Sequence, residues 1–218
     1  MTRPADAVNF VSQASGQPPE MLTITLDRSD ASLITALPPS RMEMPMKTYE
    51  FTLIFRLPDD SRDIESLIER LADSRCDDAI VGTGIPGRIS LQFDRAATSA
   101  AEAIESAIEN VSTAITGAKL IEAGPDLVGL TELAAVLGIS RQAARKQRLA
   151  NPDFPDPVHS GTPCLWRLND LLAWAETNAK REVAPEVKEV AKKTFTLNLE
   201  NEARRANLQL TPKHHATT

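Results

Sequence analysis

Tyr49, Phe51, Leu53 and Phe55 alternate with Glu50, Thr52, Ile54 and Arg56. A period of two over eight residues predicts a half-buried strand. Pro58-Asp59-Asp60-Ser61 breaks that strand and supplies side chains suited to helix N-caps. Ile64, Leu67, Ile68 and Leu71 follow at i, i+3, i+4 and i+7, one stripe of an amphipathic helix. A short apolar run at 78–81, a glycine-bearing turn at 82–87 and the alternation Ile89, Leu91, Phe93 predict two further strands. Ser99-Ala100-Ala101-Glu102 has the form of a capping box. Ile104, Ala107, Ile108 and Val111 repeat the helical stripe, and a last short strand is expected over 119–123.

The order is βαββαβ. It predicts an α+β fold with a ferredoxin-like sandwich over residues 47–124, one sheet covered by two helices. Such a scaffold hosts many unrelated functions, so activity has to be argued from elsewhere. A second unit begins at once after Gly124-Pro125-Asp126. Leu130, Leu133, Ala134 and Leu137 predict a short helix with Thr131 as its N-cap. Gly138 suits the left-handed residue that ends it, and Ser140 caps a second helix from Arg141 to about Leu149. Pro155, Pro157, Gly161 and Pro163 punctuate an extended section. Asn169 is expected to cap a third helix carrying Leu171, Leu172 and Trp174. A final helix is expected from about Pro185 to Ala206, with Pro185 in its first turn and a frayed end over 211–218.

Residues 1–46 lack sustained periodicity and contain six prolines, which predicts a disordered leader. Met42, Met44 and Met46 precede the first strong pattern. The leader therefore reads either as an upstream extension, with the fold starting near Met46, or as a flexible tail. The N-terminus has no apolar signal core, and no run of apolar residues is long enough to span a bilayer, so a cytoplasmic protein without a membrane partner is expected. Cys76 and Cys164 are too few for a disulfide framework and form no ligand cluster.

Charge changes the picture because it is uneven. The chain is −6 overall. Residues 47–124 hold 8 basic and 14 acidic side chains, whereas 179–218 hold 8 basic and 5 acidic. Between Glu132 and Asp153 there is no acidic residue, yet Arg141, Arg145, Lys146 and Arg148 all fall there. A helix, a glycine turn and a basic helix is the helix-turn-helix order, and such a stretch makes a local positive field for phosphates. The same residues also suit a solvated helix, since Lys and Arg are good helix formers. Ala134 stands four residues before Gly138, where two helices approach closely. Ala143, Ala144 and Leu149 are the side chains the second helix offers for burial, with Gln147 where an apolar residue is usual.

Other motifs have plainer readings. Gly82-Thr83-Gly84-Ile85-Pro86-Gly87 matches the dinucleotide-binding glycine pattern, but a strand pattern follows it where a helix is required. Asp59, Asp60 and Asp63 flank a helix start, where the dipole favours acids. His214 and His215 lack ligand partners at metal spacing. Catalytic residues, metals and cofactors are not expected, and the chain is not expected to be an enzyme.

Residues 126–178 resemble the winged helix-turn-helix domains of excisionase-like and MerR-like regulators. The resemblance rests on Asp126-Leu127-Val128-Gly129-Leu130-Thr131-Glu132-Leu133-Ala134, on Leu137-Gly138-Ile139-Ser140-Arg141-Gln142, and on Asp153-Phe154-Pro155-Asp156-Pro157-Val158. Leu165-Trp166-Arg167 and Asp170-Leu171-Leu172-Ala173-Trp174 complete it. It implies that the second helix enters the major groove, that 159–163 forms a wing tip and that Trp166 lies on its returning strand. The long dimerisation helix of full MerR proteins has no counterpart in the chain.

The expected function is sequence-specific binding of double-stranded DNA by a bacterial transcriptional regulator. Ser140 and nearby amides would hold phosphate, Arg141, Gln142 and Arg145 would face base edges, and Lys146, Arg148 and Arg167 would neutralise phosphates. Trp166 and Trp174 are expected in the core. The acidic 47–124 region would serve a homodimer or a protein partner. The alternative is an antitoxin-like or phage-related adaptor that uses this acidic surface, with DNA binding secondary or absent. A chain beginning at Met46 is expected to melt at the same temperature as the full chain, measured by circular dichroism; a drop of many degrees would mean that the leader packs on the fold.

Overall fold

The computed structural model describes residues 45–58 and 63–208. Among them the chain is α+β, with six helices and a four-stranded antiparallel sheet. The leader up to residue 44, Asp59, Asp60, Ser61 and the end from residue 209, with His214 and His215, lie outside the described residues. No described helix is long and apolar enough to cross a membrane.

The alternating segment forms strand β1 (Lys47–Arg56), and its odd-numbered residues from Tyr49 are buried. It pairs with β3 (Arg88–Ala97) in a register that sets Leu53 opposite Leu91 and Phe51 opposite Phe93. The two phenyl rings stack with centroids 5.1 Å apart. β2 (Ala79–Gly82) lies outside β3, and β4 (Lys119–Gly124) outside β1, giving the order β2-β3-β1-β4. Residues 83–87 join β2 to β3, so the glycine pattern serves a strand-to-strand turn, with Gly87 at φ 70. Helices α1 (Ile64–Asp73) and α2 (Ala100–Ala114) bury Leu67, Leu71, Ile104 and Val111 in the same core. Asp63 caps α1 by accepting from Ser66 N–H, and Ser99 caps α2 by accepting from Glu102 N–H. The capping box is only half formed, because the Glu102 carboxylate turns to Thr98 instead. Cys76 is buried in this core, and burial pushes its thiol above the usual range, which keeps it protonated and unreactive. Arg95 is buried beside it, held by both oxygens of Asp78 at 2.7 and 2.9 Å.

A second core follows. β5 (Leu127–Val128) pairs with β6 (Trp166–Arg167), and helices α3 (Leu130–Val136), α4 (Arg141–Ala150) and α5 (Leu168–Thr177) surround them. Trp166 and Trp174 are buried as expected, and Phe154 meets both rings edge-on. Two caps differ from expectation. α3 starts two residues earlier than a Thr131 cap allows: Gly129 is the cap, and Glu132 Oε2 accepts its N–H at 3.0 Å. α5 starts at Leu168, so Asn169 lies inside its first turn.

Helix α6 (Pro185–Arg205) joins the two cores. Val190 enters the first and Ala191 the second. β4 is an edge strand, and edge backbone groups need partners. Asn198 bridges one residue of it, donating to Ala123 C=O and accepting from Ala123 N–H, both at 2.8 Å. Arg205 donates to Ile121 C=O at 2.7 Å. Asn198 also donates to Asp126, which is 3% exposed and ion-paired with Arg167. At the other end of α6, Glu186 pairs with Lys47 and Glu189 accepts from the Tyr49 hydroxyl.

Asn198→Ala strands two buried backbone groups and one side of Asp126. A loss of about 2 kcal/mol or more is expected, since each orphaned buried group costs about 1–3 kcal/mol. Urea denaturation checks it, and a change under about 0.5 kcal/mol, the size of an ordinary surface substitution, would mean that water replaces the amide.

Candidate nucleic-acid interface

Ala134 and Leu133 are the buried residues of α3. The helix ends with Gly138 in the left-handed conformation, φ 61. Ile139 N–H then donates to Ala134 C=O and Gly138 N–H to Ala135 C=O, which closes the helix end and turns the chain sharply. Ser140 restarts it: its hydroxyl accepts from Ala143 N–H at 3.1 Å and caps α4. The turn and both caps therefore come from Gly138, Ser140 and Glu132, within nine residues.

Ala144 alone is buried on α4. Leu149 was expected to share that role but is 73% exposed. Gln147 is half-buried and accepts from Asn151 Nδ2 through its side-chain and backbone oxygens, which ties off the C-terminus. A single alanine at the contact lets α4 lie close on its neighbour. The long side chains Arg141, Gln142, Arg145, Lys146 and Arg148 all remain exposed.

These side chains divide into two flanks. Arg141, Arg145 and Arg148 line one open groove of about 910 Å³, whose far wall holds Thr131, Glu132 and Thr162. Lys146 lies on the other flank with Ala143 and Leu149. Gln142 and Arg145 border both hollows and so form the crest of the helix. Arg148 stacks on the Trp166 ring at 4.9 Å, which fixes its guanidinium toward the groove while using one of its faces. Glu132 is the acid in the groove, and its carboxylate is turned to the Gly129 N–H.

Thr131 and Glu132 on the far wall belong to α3, and Thr162 to a loop closed by His159 and Leu165, whose backbones exchange hydrogen bonds of 3.2 and 2.9 Å. Residues 159–163 are exposed, and His159 folds against Gly161 so closely that a Cβ there would come within 2.3 Å of its Nε2. A side chain at 161 would displace the exposed imidazole.

Arg167 is not part of this surface. Sequence reasoning grouped it with the phosphate contacts, but its side chain is 11% exposed. It is held by Asp126, by Glu202 at 3.4 Å and over the Phe195 ring at 5.2 Å. The neighbouring Asp170, one turn into α5, gave no hint of this, because the partners lie 41 and 35 residues away. The Arg148–Trp166 stack was also missed, since no local pattern reports it.

Among known proteins, the chain matches no family model, no curated protein and no solved structure.

The burial pattern separates two substitutions on α4. Leu149→Ala should change stability by less than about 0.5 kcal/mol, as exposed positions do. Ala144→Leu should cost about 1–3 kcal/mol by overpacking the contact. Chemical denaturation of both variants checks the pair, and the reverse order would mean that α4 is rotated about its axis.

Proposed function

We propose that the protein binds double-stranded DNA in a sequence-specific manner and acts as a transcriptional regulator. In this reading 126–178 is a winged helix-turn-helix domain, with α4 in the major groove and the 159–163 loop as its wing, and 47–124 is a ferredoxin-like domain. The observation that carries the proposal is the surface of α4. Five long polar side chains, four of them cationic, stand exposed on ten residues with no carboxylate among them, in a chain that is −6 overall.

The position of each side chain sets its role. Gln142 and Arg145, on the crest, meet base edges, because Gln pairs with adenine and Arg with guanine in a bidentate manner. Arg141 flanks them toward the groove. The Ser140 cap leaves the first backbone N–H groups of α4 directed outward, where the helix dipole favours a phosphate. Lys146 and Arg148, on opposite flanks, meet the two backbones that border the groove. Arg167 serves the fold and makes no DNA contact. The acidic 47–124 region would be repelled by DNA, which orients the molecule as it approaches.

Arg145→Ala should cost about 1–3 kcal/mol and relax base preference at one position, whereas Lys146→Ala should weaken all sequences evenly and lower the salt slope by about one unit. Arg141→Glu with Arg145→Glu should abolish binding while leaving the circular dichroism spectrum unchanged. Fluorescence anisotropy on duplexes selected from a random pool, and on scrambled ones, across a salt series provides the measurement. Unchanged affinity in the folded double variant would remove α4 from the interface and favour a protein-interaction adaptor acting through the acidic domain.

A further inference from the structure

One face of the four-stranded sheet is covered by α1, α2 and part of α6; on the other, which α6 borders beside Glu50, exposed charges are sorted by row. At one end, Arg56 lies directly opposite Arg88 on β3 and Lys119 on β4. At the other end, Glu50 lies directly opposite Asp94. All five are exposed, and none makes an ion pair within 4.0 Å among the described residues. Like charges directly opposite on neighbouring strands destabilise a sheet, so both rows are in unfavourable company within one chain.

We propose that this open face pairs with the same face of a second copy of the chain. Strand register makes the two faces complementary. Consider two such faces related by a two-fold axis that runs across the strands at the level of Leu53, Leu91 and Ala123, which lie opposite one another. The rotation reverses strand direction and keeps strand order. Arg56, three residues beyond Leu53, then lies over Glu50 of the other copy, three residues before it. Arg88 lies over Asp94 in the same way. Each cationic row therefore meets an acidic row, twice in one dimer.

The side chains between the rows obey the same symmetry. Ile54 meets Thr52, and Ser90 meets Gln92. Ile80, 72% exposed and opposite Gln92, meets the position of Gly82, which is opposite Ser90 and has no side chain. Glu122, opposite Ile54, meets Gly124, opposite Thr52. A protruding residue thus faces a glycine on both outer strands, which is what an isologous interface demands. Sheets stacked face to face keep their strands within about 30° of alignment, so the row correspondence survives the sheet twist. The face is small beside specific interfaces of about 800 Å² per partner, so the dimer is weak and sensitive to salt. The inference is independent of DNA binding by α4.

Charge exchange tests it. The full chain is examined by sedimentation velocity over a concentration series from micromolar to sub-millimolar. It should dimerise, more weakly at high salt. Arg56→Glu with Arg88→Glu makes both rows acidic, and Glu50→Arg with Asp94→Arg makes both basic. Each variant alone should raise the dissociation constant at least about tenfold, because like-charge juxtaposition costs several kcal/mol. An equimolar mixture of the two should associate as a heterodimer, at least as tightly as the native chain, with circular dichroism confirming that both are folded. A monomeric native chain, a variant that dimerises like it, or folded variants that fail to associate when mixed would each overturn the proposal. If a variant does not fold, the single changes Arg88→Glu and Asp94→Arg are mixed instead, with the same criteria.

Discussion

The structure turns on the carboxylate of Asp126. It sits where β4 has left the sheet and the second core begins, and it is buried. A lone buried carboxylate is strongly destabilising, so its partners are not optional. Arg167 supplies the opposite charge from β6, and Asn198 supplies an N–H from α6 at 2.7 Å. Three residues before Asp126, the same Asn198 has already tied down the outer edge of β4 through Ala123. Thr194, one turn earlier on α6, donates to Pro125 C=O at 2.7 Å. Three of the four residues Ala123 to Asp126 are thereby bonded to one helix. Removing either member of a buried pair costs about 3–5 kcal/mol, which is the scale on which this joint is fixed. The placement of α4 relative to the sheet follows from it, because β6 and Trp166 are part of the same joint.

This explains which parts of the molecule were legible in the sequence. The strands and the stripes of α1 and α2 depend on apolar burial, and burial imposes a local period that four or eight residues suffice to display. Gly138 and Ser140 were legible because each performs a local task that few residue types can do. α6 was legible as a helix but not as the joint. Its buried residues include Thr194, Asn198 and Asn201, which read as surface on any hydropathy argument. Asn198 and Thr194 have partners some 70 residues away, where no period reaches. Arg167 failed for the same reason in reverse: a cation near a basic helix resembles a phosphate contact until Asp126 is found against it. The caps at Thr131 and Asn169 each failed by two residues, the first because Gly129 with Glu132 takes that role.

α4 shows how weak burial and exposed chemistry belong together. Its sequence has a very polar face and almost no apolar one, so it cannot be held by packing. It is held at its ends, by Ser140 on Ala143 N–H and by the Gln147–Asn151 contacts, and at one point by Ala144. A capping serine contributes about 1 kcal/mol, comparable to what a buried alanine methyl can offer. Such a helix has no larger side chain committed inward, and Arg148 is the exception that partly turns back, onto Trp166. Shifting Ala144 to a larger residue would lift the helix and lengthen the distance between its crest and the 159–163 loop. The alanine therefore fixes the width of the groove as well as the contact. The basic surface and its geometry are two consequences of one choice, a small residue at the one buried position of α4.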